Sequence, residues 1–276
     1  YYAHHDKEDD KVALAIREHY QPRYAGDELP FTPESLAVAL ADKIETLTGL
    51  FGIGQLPTGE KDPFALRRHA LGILRMLIEK ELPLSLDKLI AIGTEEESVV
   101  PGVKDATEEL KQFFHDRLRV MQKDQGFTAH EVESVIGSEP AILADVPKRL
   151  KAVHDFMSLP EAESLAAANK RIENILKKNT LPLADAVDPA LLTEKEEKDL
   201  YEAIRTLEPK LEADYKAGRY EDELRSLAPL KAPVDAFFDK VMVNAEDEAL
   251  RRNRLTLLNE LHKAMNQVAK LSCLAS

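Results

Sequence analysis

The chain has 276 residues, 44% apolar and 32% charged, a composition of globular domains rather than of disordered segments, with room for one large or two medium domains. Its 37 basic and 50 acidic side chains leave a net charge of −13, which excludes an indiscriminate nucleic-acid binder, whose footprint would be a basic domain. A single cysteine, Cys273, excludes an internal disulfide framework or a multi-cysteine metal site and fits a reducing compartment.

No run approaches the roughly 20 apolar residues of a membrane span, and no cleavable signal is visible. The opening Tyr-Tyr-Ala, without an initiator Met, reads as the start of a fragment. An acidic segment leads into a short helix through Val12, Ile16 and Tyr20, limited by Pro22. Thr32 and Pro33 start the next helix, since Thr can accept free N–H groups of the first turn and Pro fits the first helical position. Leu36, Leu40, Ile44, Leu47 and Phe51 recur at steps of three and four along one helix face. Gly52, Gly54, Pro57 and Gly59 end that helix. Asp62 and Pro63 open another, with Leu66, Ala70, Ile73 and Leu77 as its core face. Gly72, in mid-helix, costs about 1 kcal/mol relative to Ala, so another helix is expected to pack closely over it.

Residues 82–92 read as a short helix and 93–102 as a loop. Leu110, Phe113, Phe114, Leu118 and Met121 mark a helix closed by Gly126. Thr128 and Glu131 make a capping box for a short helix ending at Gly137. A connector at 140–147 suggests a boundary between domains 1–142 and 143–276. Residues 148–157 are helical, and Ser158 with Glu161 reads as a capping box launching the next helix. After a loop at 179–189, Thr193 and Glu196 cap a helix that Pro209 breaks or kinks. Shorter helices at 220–230 and 234–243 flank Pro233, and Asn244 caps the last and longest. With no β alternation, low-complexity tract or repeat of fixed period, the fold class is all-α.

Four groups of residues could carry function. In the helix after residue 159, Asn169 interrupts the apolar stripe of Leu165, Ile172 and Leu176, and a buried amide must find partners in the protein or on a ligand. Beside it lie Lys170, Arg171, Asn174, Lys177 and Lys178, with Glu173 against them. Such a face suits the phosphates and base edges of an RNA loop. Spacing alone favours a solvated charged face with Asn169 bonded to nearby backbone. The second group is Phe237, Phe238 and Lys240 with Arg251 and Arg254; the rings could stack on bases or lie in the core, and the arginines could pair with Asp235, Asp239, Glu246 or Glu248. Third, Arg67, Arg68 and Arg75 form a basic face for a secondary RNA or domain contact, or for ion pairs with Asp42, Glu45 or Glu79. Fourth, His4, His5 and Asp42 invite a phosphohydrolase reading in which His and Asp bind a divalent metal. His19, His69 and His115 lack paired spacing, no phosphate-loop or nucleophile motif is present, and no metal site is expected.

The run ALADKIETLTGLFGIGQLPTGEKDPFALRRHALGILR, with AAANKRIENIL and the stretch from FFDKVMV to NRLTLL, resembles the C-terminal half of the β subunit of bacterial tetrameric glycyl-tRNA synthetases. DEALRRNRLTLL also resembles the DALR signature of helical anticodon-binding domains. The resemblance covers effectively the whole chain. It implies the tail of an HD-like helical domain followed by an anticodon-binding bundle, within a cytoplasmic α2β2 enzyme that joins glycine to its tRNA using ATP. It further implies that the α subunit holds the ATP and Mg chemistry, and that this chain lacks a catalytic centre and any cofactor. Its partners would be glycine tRNA and the α subunit, with no DNA or membrane, and the face from Lys170 to Lys178 would belong to the anticodon-binding domain. Two other classes stay open: an HD-type metal-dependent phosphohydrolase and a purely structural subunit-interaction module.

Overall fold

The computed structural model describes residues 1–97 and 99–275. Regular structure among them is helical, with two isolated bridges, Thr58 to Lys61 and Ser85 to Ile142. The chain folds into two compact units: Tyr1–Gln125 with Pro140–Val146, and Gly126–Glu139 with Pro147–Ser276.

The first unit holds α1 (Tyr2–His5), α2 (Asp10–Glu18), α3 (Pro33–Gly52), α4 (Leu66–Glu79), α5 (Leu86–Glu97) and α6 (Thr107–Asp124). Its centre is α3, which packs on α2, α4, α5 and α6. Leu40, Ile44, Leu47 and Phe51 are buried there against Ile73 and Leu77 of α4, Ile90 of α5 and Leu110, Phe114 and Leu118 of α6. Thr32 caps α3 by accepting from Ser35 N at 3.1 Å, with Pro33 in the first turn. The start of α4 differs from the expected one. Ala65, in the left-handed region, is the N-cap, and Asp62 caps from a turn earlier by accepting from Leu66 N at 2.8 Å and Arg67 N at 3.0 Å. Thus Pro63 lies before the helix.

Two further differences come from close packing. The fifth helix extends through Gly93 to Glu97, where a loop was expected; a Cβ at position 93 would meet Thr48 Cγ2 at 2.9 Å, so glycine lets α5 approach α3. Over Gly72 the near atoms are Lys43 Cε at 3.1 Å and Cδ at 3.3 Å, and Pro22 Cδ at 3.3 Å. The helix expected over Gly72 is therefore α3, reaching it through a single lysine stem.

The second unit contains α7 (Ala129–Ile136), α8 (Val146–Phe156), α9 (Ala162–Lys178), α10 (Lys195–Lys216), α11 (Tyr220–Arg225), α12 (Lys231–Lys240) and α13 (Glu248–Met265). A 3-10 turn, Leu271–Leu274, packs on α9 and α7. The capping box of α7 forms, with Thr128 Oγ1 accepting from Glu131 N and Glu131 Oε2 accepting from Thr128 N at 2.7 Å. Others move. No side-chain bond caps α9 at Glu161. Glu197, rather than Glu196, accepts from Thr193 N at 2.9 Å and Glu194 N at 2.8 Å at the start of α10. Asp247, rather than Asn244, caps α13 by accepting from Leu250 N at 3.0 Å. Pro209 lies inside an uninterrupted α10, and Pro233 sits in the first turn of α12, where its missing N–H breaks no helical bond.

Candidate nucleic-acid interface

On α9 the apolar spacing decides which side chains remain outside. Leu165, Asn169 and Ile172 are fully buried, and α13, α12 and the terminal 3-10 turn cover that side. At 100° per residue, Asn174 lies nearly opposite the buried line, with Lys170 and Lys177 on one flank and Arg171 and Lys178 on the other. All five are exposed.

The cations are not equivalent. Lys177 donates to Glu173 at 2.7 Å, and Lys270 reaches the same carboxylate at 3.2 Å. Burial pushes the Glu173 carboxyl up, but hydrogen bonds from Lys177, Ser272 and Lys270 outweigh it and hold the pKa down to about 2. That carboxylate therefore offsets part of the Lys177 charge. Lys170 makes a long bond to the Ala275 carbonyl at 3.4 Å. Lys178 and Lys240 have no hydrogen bond or ion pair among the described residues.

Arg171 places its guanidinium 4.1 Å from the centroid of the Phe238 ring on α12. Phe237 is fully buried, whereas Phe238 is half-buried and meets it edge-on at 5.6 Å. The adjacent phenylalanines thus divide: Phe237 is core, and Phe238 brings an aromatic surface to the basic face. Lys240 is exposed at the end of α12, and the α9 face offers cations for phosphates, an amide for base edges, and a ring beside a guanidinium.

Other residues expected at this interface lie inside the fold. Asn169 is 0% exposed, with neither amide atom partnered. Arg254 is 5% exposed; it pairs with the fully buried Glu197 at 2.5 Å and donates to the Met242 carbonyl at 2.8 Å and to Thr193 Oγ1 at 3.4 Å. Its position follows from spacing, since it is four residues after Leu250 and three before Leu257 on the inward side of α13. Arg251 is half-buried, donating to the Ala245 carbonyl at 3.5 Å, and Arg252 pairs with Glu248 at 2.9 Å. Neither Asn169 nor Arg254 can touch RNA in this conformation.

The arginines of the first unit also separate. Arg75 bonds Glu79 at 2.6 Å and the Asp27 carbonyl at 2.9 Å, and Arg67 donates to the Gly59 carbonyl at 2.6 Å. Arg68 is exposed. His4 faces Asp10 at 3.3 Å and His5 faces Asp6 at 3.2 Å, all at the surface. Among the described residues no three His, Cys, Asp or Glu side chains gather as a metal site.

A family model described as glycyl-tRNA synthetase beta subunit matches residues 1–137, and one described as DALR anticodon binding domain matches residues 165–272. Glycine–tRNA ligase beta subunits align with the entire chain. That of Delftia acidovorans is 55% identical over 280 residues, that of Polaromonas naphthalenivorans 55% over 276, and that of Nitrosomonas eutropha 50% over 289. The chain belongs to the glycyl-tRNA synthetase beta-subunit family. It spans 39%, 38% and 40% of the lengths of those three relatives, so it corresponds to part of a beta subunit, its C-terminal portion. The matched DALR stretch places α9, α12 and α13 in the anticodon-binding region of the beta subunit. Within that region, the Lys170–Lys178 face is exposed and basic, and the Arg171 guanidinium over the half-buried Phe238 ring borders it. No helix among the described residues is long and apolar enough to cross a membrane.

Proposed function

We propose that the second unit binds the anticodon arm of glycine tRNA through the exposed face of α9. The observation that carries this reading is the grouping of Lys170, Arg171, Asn174, Lys177 and Lys178 on the solvent side of a helix within the matched anticodon-binding stretch, with Phe238 under Arg171. Lys170 and Lys178 hold phosphates, Asn174 meets a base edge, and Arg171 with Phe238 offers a stacking surface. Arg251 stands at the margin, and Asn169 and Arg254 support the fold from within. Residues 1–142 act as the tail of an HD-like domain and 143–276 as the anticodon-binding domain; Arg68 is a secondary RNA or domain contact.

In this reading the whole enzyme is a cytoplasmic assembly of α and β subunits that joins glycine to tRNA. ATP and Mg act on the α subunit. This chain contributes to rate by positioning, since an anchored anticodon arm presents the acceptor end to a distant site.

Tight binding to this face releases counterions. Measuring tRNA affinity across salt concentrations for the chain and for a Lys170→Gln, Lys178→Gln variant tests the assignment. Each lost phosphate contact flattens the log–log salt slope by about 0.7 to 0.9. An unchanged slope and affinity in the double variant contradicts the assignment.

A further inference from the structure

A cavity of about 1030 Å³ lies in the first unit among α2, α3, α4 and the segment between α2 and α3, large enough for a small-molecule ligand. Two groups in its wall are incompletely satisfied. Lys43 is 3% exposed, and its ammonium donates one hydrogen bond, to the His19 carbonyl at 3.0 Å. An ammonium has three N–H donors, which leaves two. His69, on α4, has a buried Nδ1 with no partner. Arg68, also in the wall, has no side-chain bond or ion pair among the described residues. Most other charges of the wall are paired: Arg17 with Glu18, Arg23 with Asp27, and Arg75 with Glu79. Asp42 is the nearby carboxylate that opposes the cations.

Placing Lys43 here is costly twice over. An ammonium loses hydration on burial, and α4 must hold a glycine at 72, because a Cβ there would press on the lysine stem and on Pro22. Both costs serve one outcome, a positive group with free donors in the cavity wall. At the rim, Tyr20 and Phe31 are 66% and 79% exposed; one side of the Tyr20 ring lies against the His19 imidazole at 4.0 Å between centroids, which leaves its other face and the Phe31 ring to solvent.

We propose that this cavity binds a mononucleotide, with its phosphate monoester on Lys43, His69 and Arg68 and its base against Tyr20 or Phe31. A phosphate dianion supplies acceptors for the leftover donors, and Lys43, Arg68 and an imidazolium at His69 together outweigh its repulsion from Asp42. The exposed rings provide the flat apolar contact a base requires. Burial, with Lys43 adding to it, pushes His69 below the usual histidine range, and a bound dianion reverses that by favouring the imidazolium.

The test is calorimetric titration of the full chain with AMP, inorganic phosphate and adenosine. AMP is expected to bind tightest, phosphate less tightly and adenosine least. Lys43→Met keeps the stem and removes the charge, and should weaken AMP at least about tenfold without lowering the unfolding midpoint. His69→Gln gives the same comparison from the other helix and stands in if the Lys43 variant does not fold. In the parent, NMR titration of His69 should show its pKa rising with AMP and not with adenosine. The proposal is overturned if AMP binds no more tightly than adenosine, or if a folded Lys43→Met or His69→Gln chain binds AMP like the parent.

Discussion

Arg171 and Arg254 both belong to the matched anticodon-binding stretch, and burial gives them opposite tasks. Arg254 neutralises Glu197 in the interior. Removing one member of a buried pair leaves an uncompensated charge, so Arg254→Ala should lower unfolding free energy by about 3–5 kcal/mol in a urea titration. Arg171→Ala gives up a partly solvated contact with Phe238 and should cost about 1 kcal/mol or less. A third charged group lies apart from both. Glu223 is fully buried with neither carboxylate oxygen partnered, and burial pushes its pKa up to about 8, with Arg149 opposing and Asp214 assisting. The folded state therefore holds a proton that the unfolded chain releases above the ordinary 4.5. Stability from this group is full below that value and is lost as pH rises toward 8. Glu223→Gln should remove this decline, a difference on the order of 5 kcal/mol at the alkaline end, read from unfolding midpoints across pH. Arg254 was expected on the RNA face with Arg251, and the structure buries it instead, in line with Leu250 and Leu257. The stacking of Arg171 on Phe238 was not legible from spacing, because it joins two helices far apart in sequence.

Among the elements, the long helices were legible and their ends were less so. A stripe such as Leu40, Ile44, Leu47 and Phe51 states which face is buried, and α3 presents that face to three other helices. Caps depend on loop geometry a residue or more away, which is why Asp62 serves α4 from outside the helix and Asp247 replaces Asn244. Where the local signal and geometry agree, as at Thr128 and Glu131, Thr128→Ala should cost about 1 kcal/mol. Gly52 ends α3 where a Cβ would lie 2.4 Å from Val103 Cγ1 and 3.0 Å from the Lys104 carbonyl oxygen. Backbone cannot yield as a side chain can, so Gly52→Ala should destabilise by about 1–3 kcal/mol despite the better helix propensity of alanine. At Gly93, where α5 runs on through a glycine that reads locally as a stop, a Cβ would meet side-chain atoms instead, Thr48 Cγ2 at 2.9 Å and Ile44 Cγ1 at 3.3 Å.

At the scale of the whole chain, a net charge of −13 coexists with an RNA-binding reading because the cations are concentrated. Lys170, Arg171, Lys177 and Lys178 share one face of α9, while many acidic side chains are engaged in ion pairs elsewhere, among them Asp214 with Lys210 and Arg219, and Glu260 with Arg205. Such a body repels RNA except at its basic face, which favours selective over indiscriminate binding. Composition made this balance visible; which cations were free depended on tertiary partners such as Lys270 beside Glu173. The proposed contact of the α9 face with the anticodon arm can be read directly. Its most direct test places a photo-crosslinking residue at position 174 and maps the adducts on bound glycine tRNA. Adducts confined to anticodon-loop nucleotides and lost on adding unlabelled glycine tRNA are the predicted result. Adducts in the acceptor stem, or none from a tRNA shown to be bound, would contradict it.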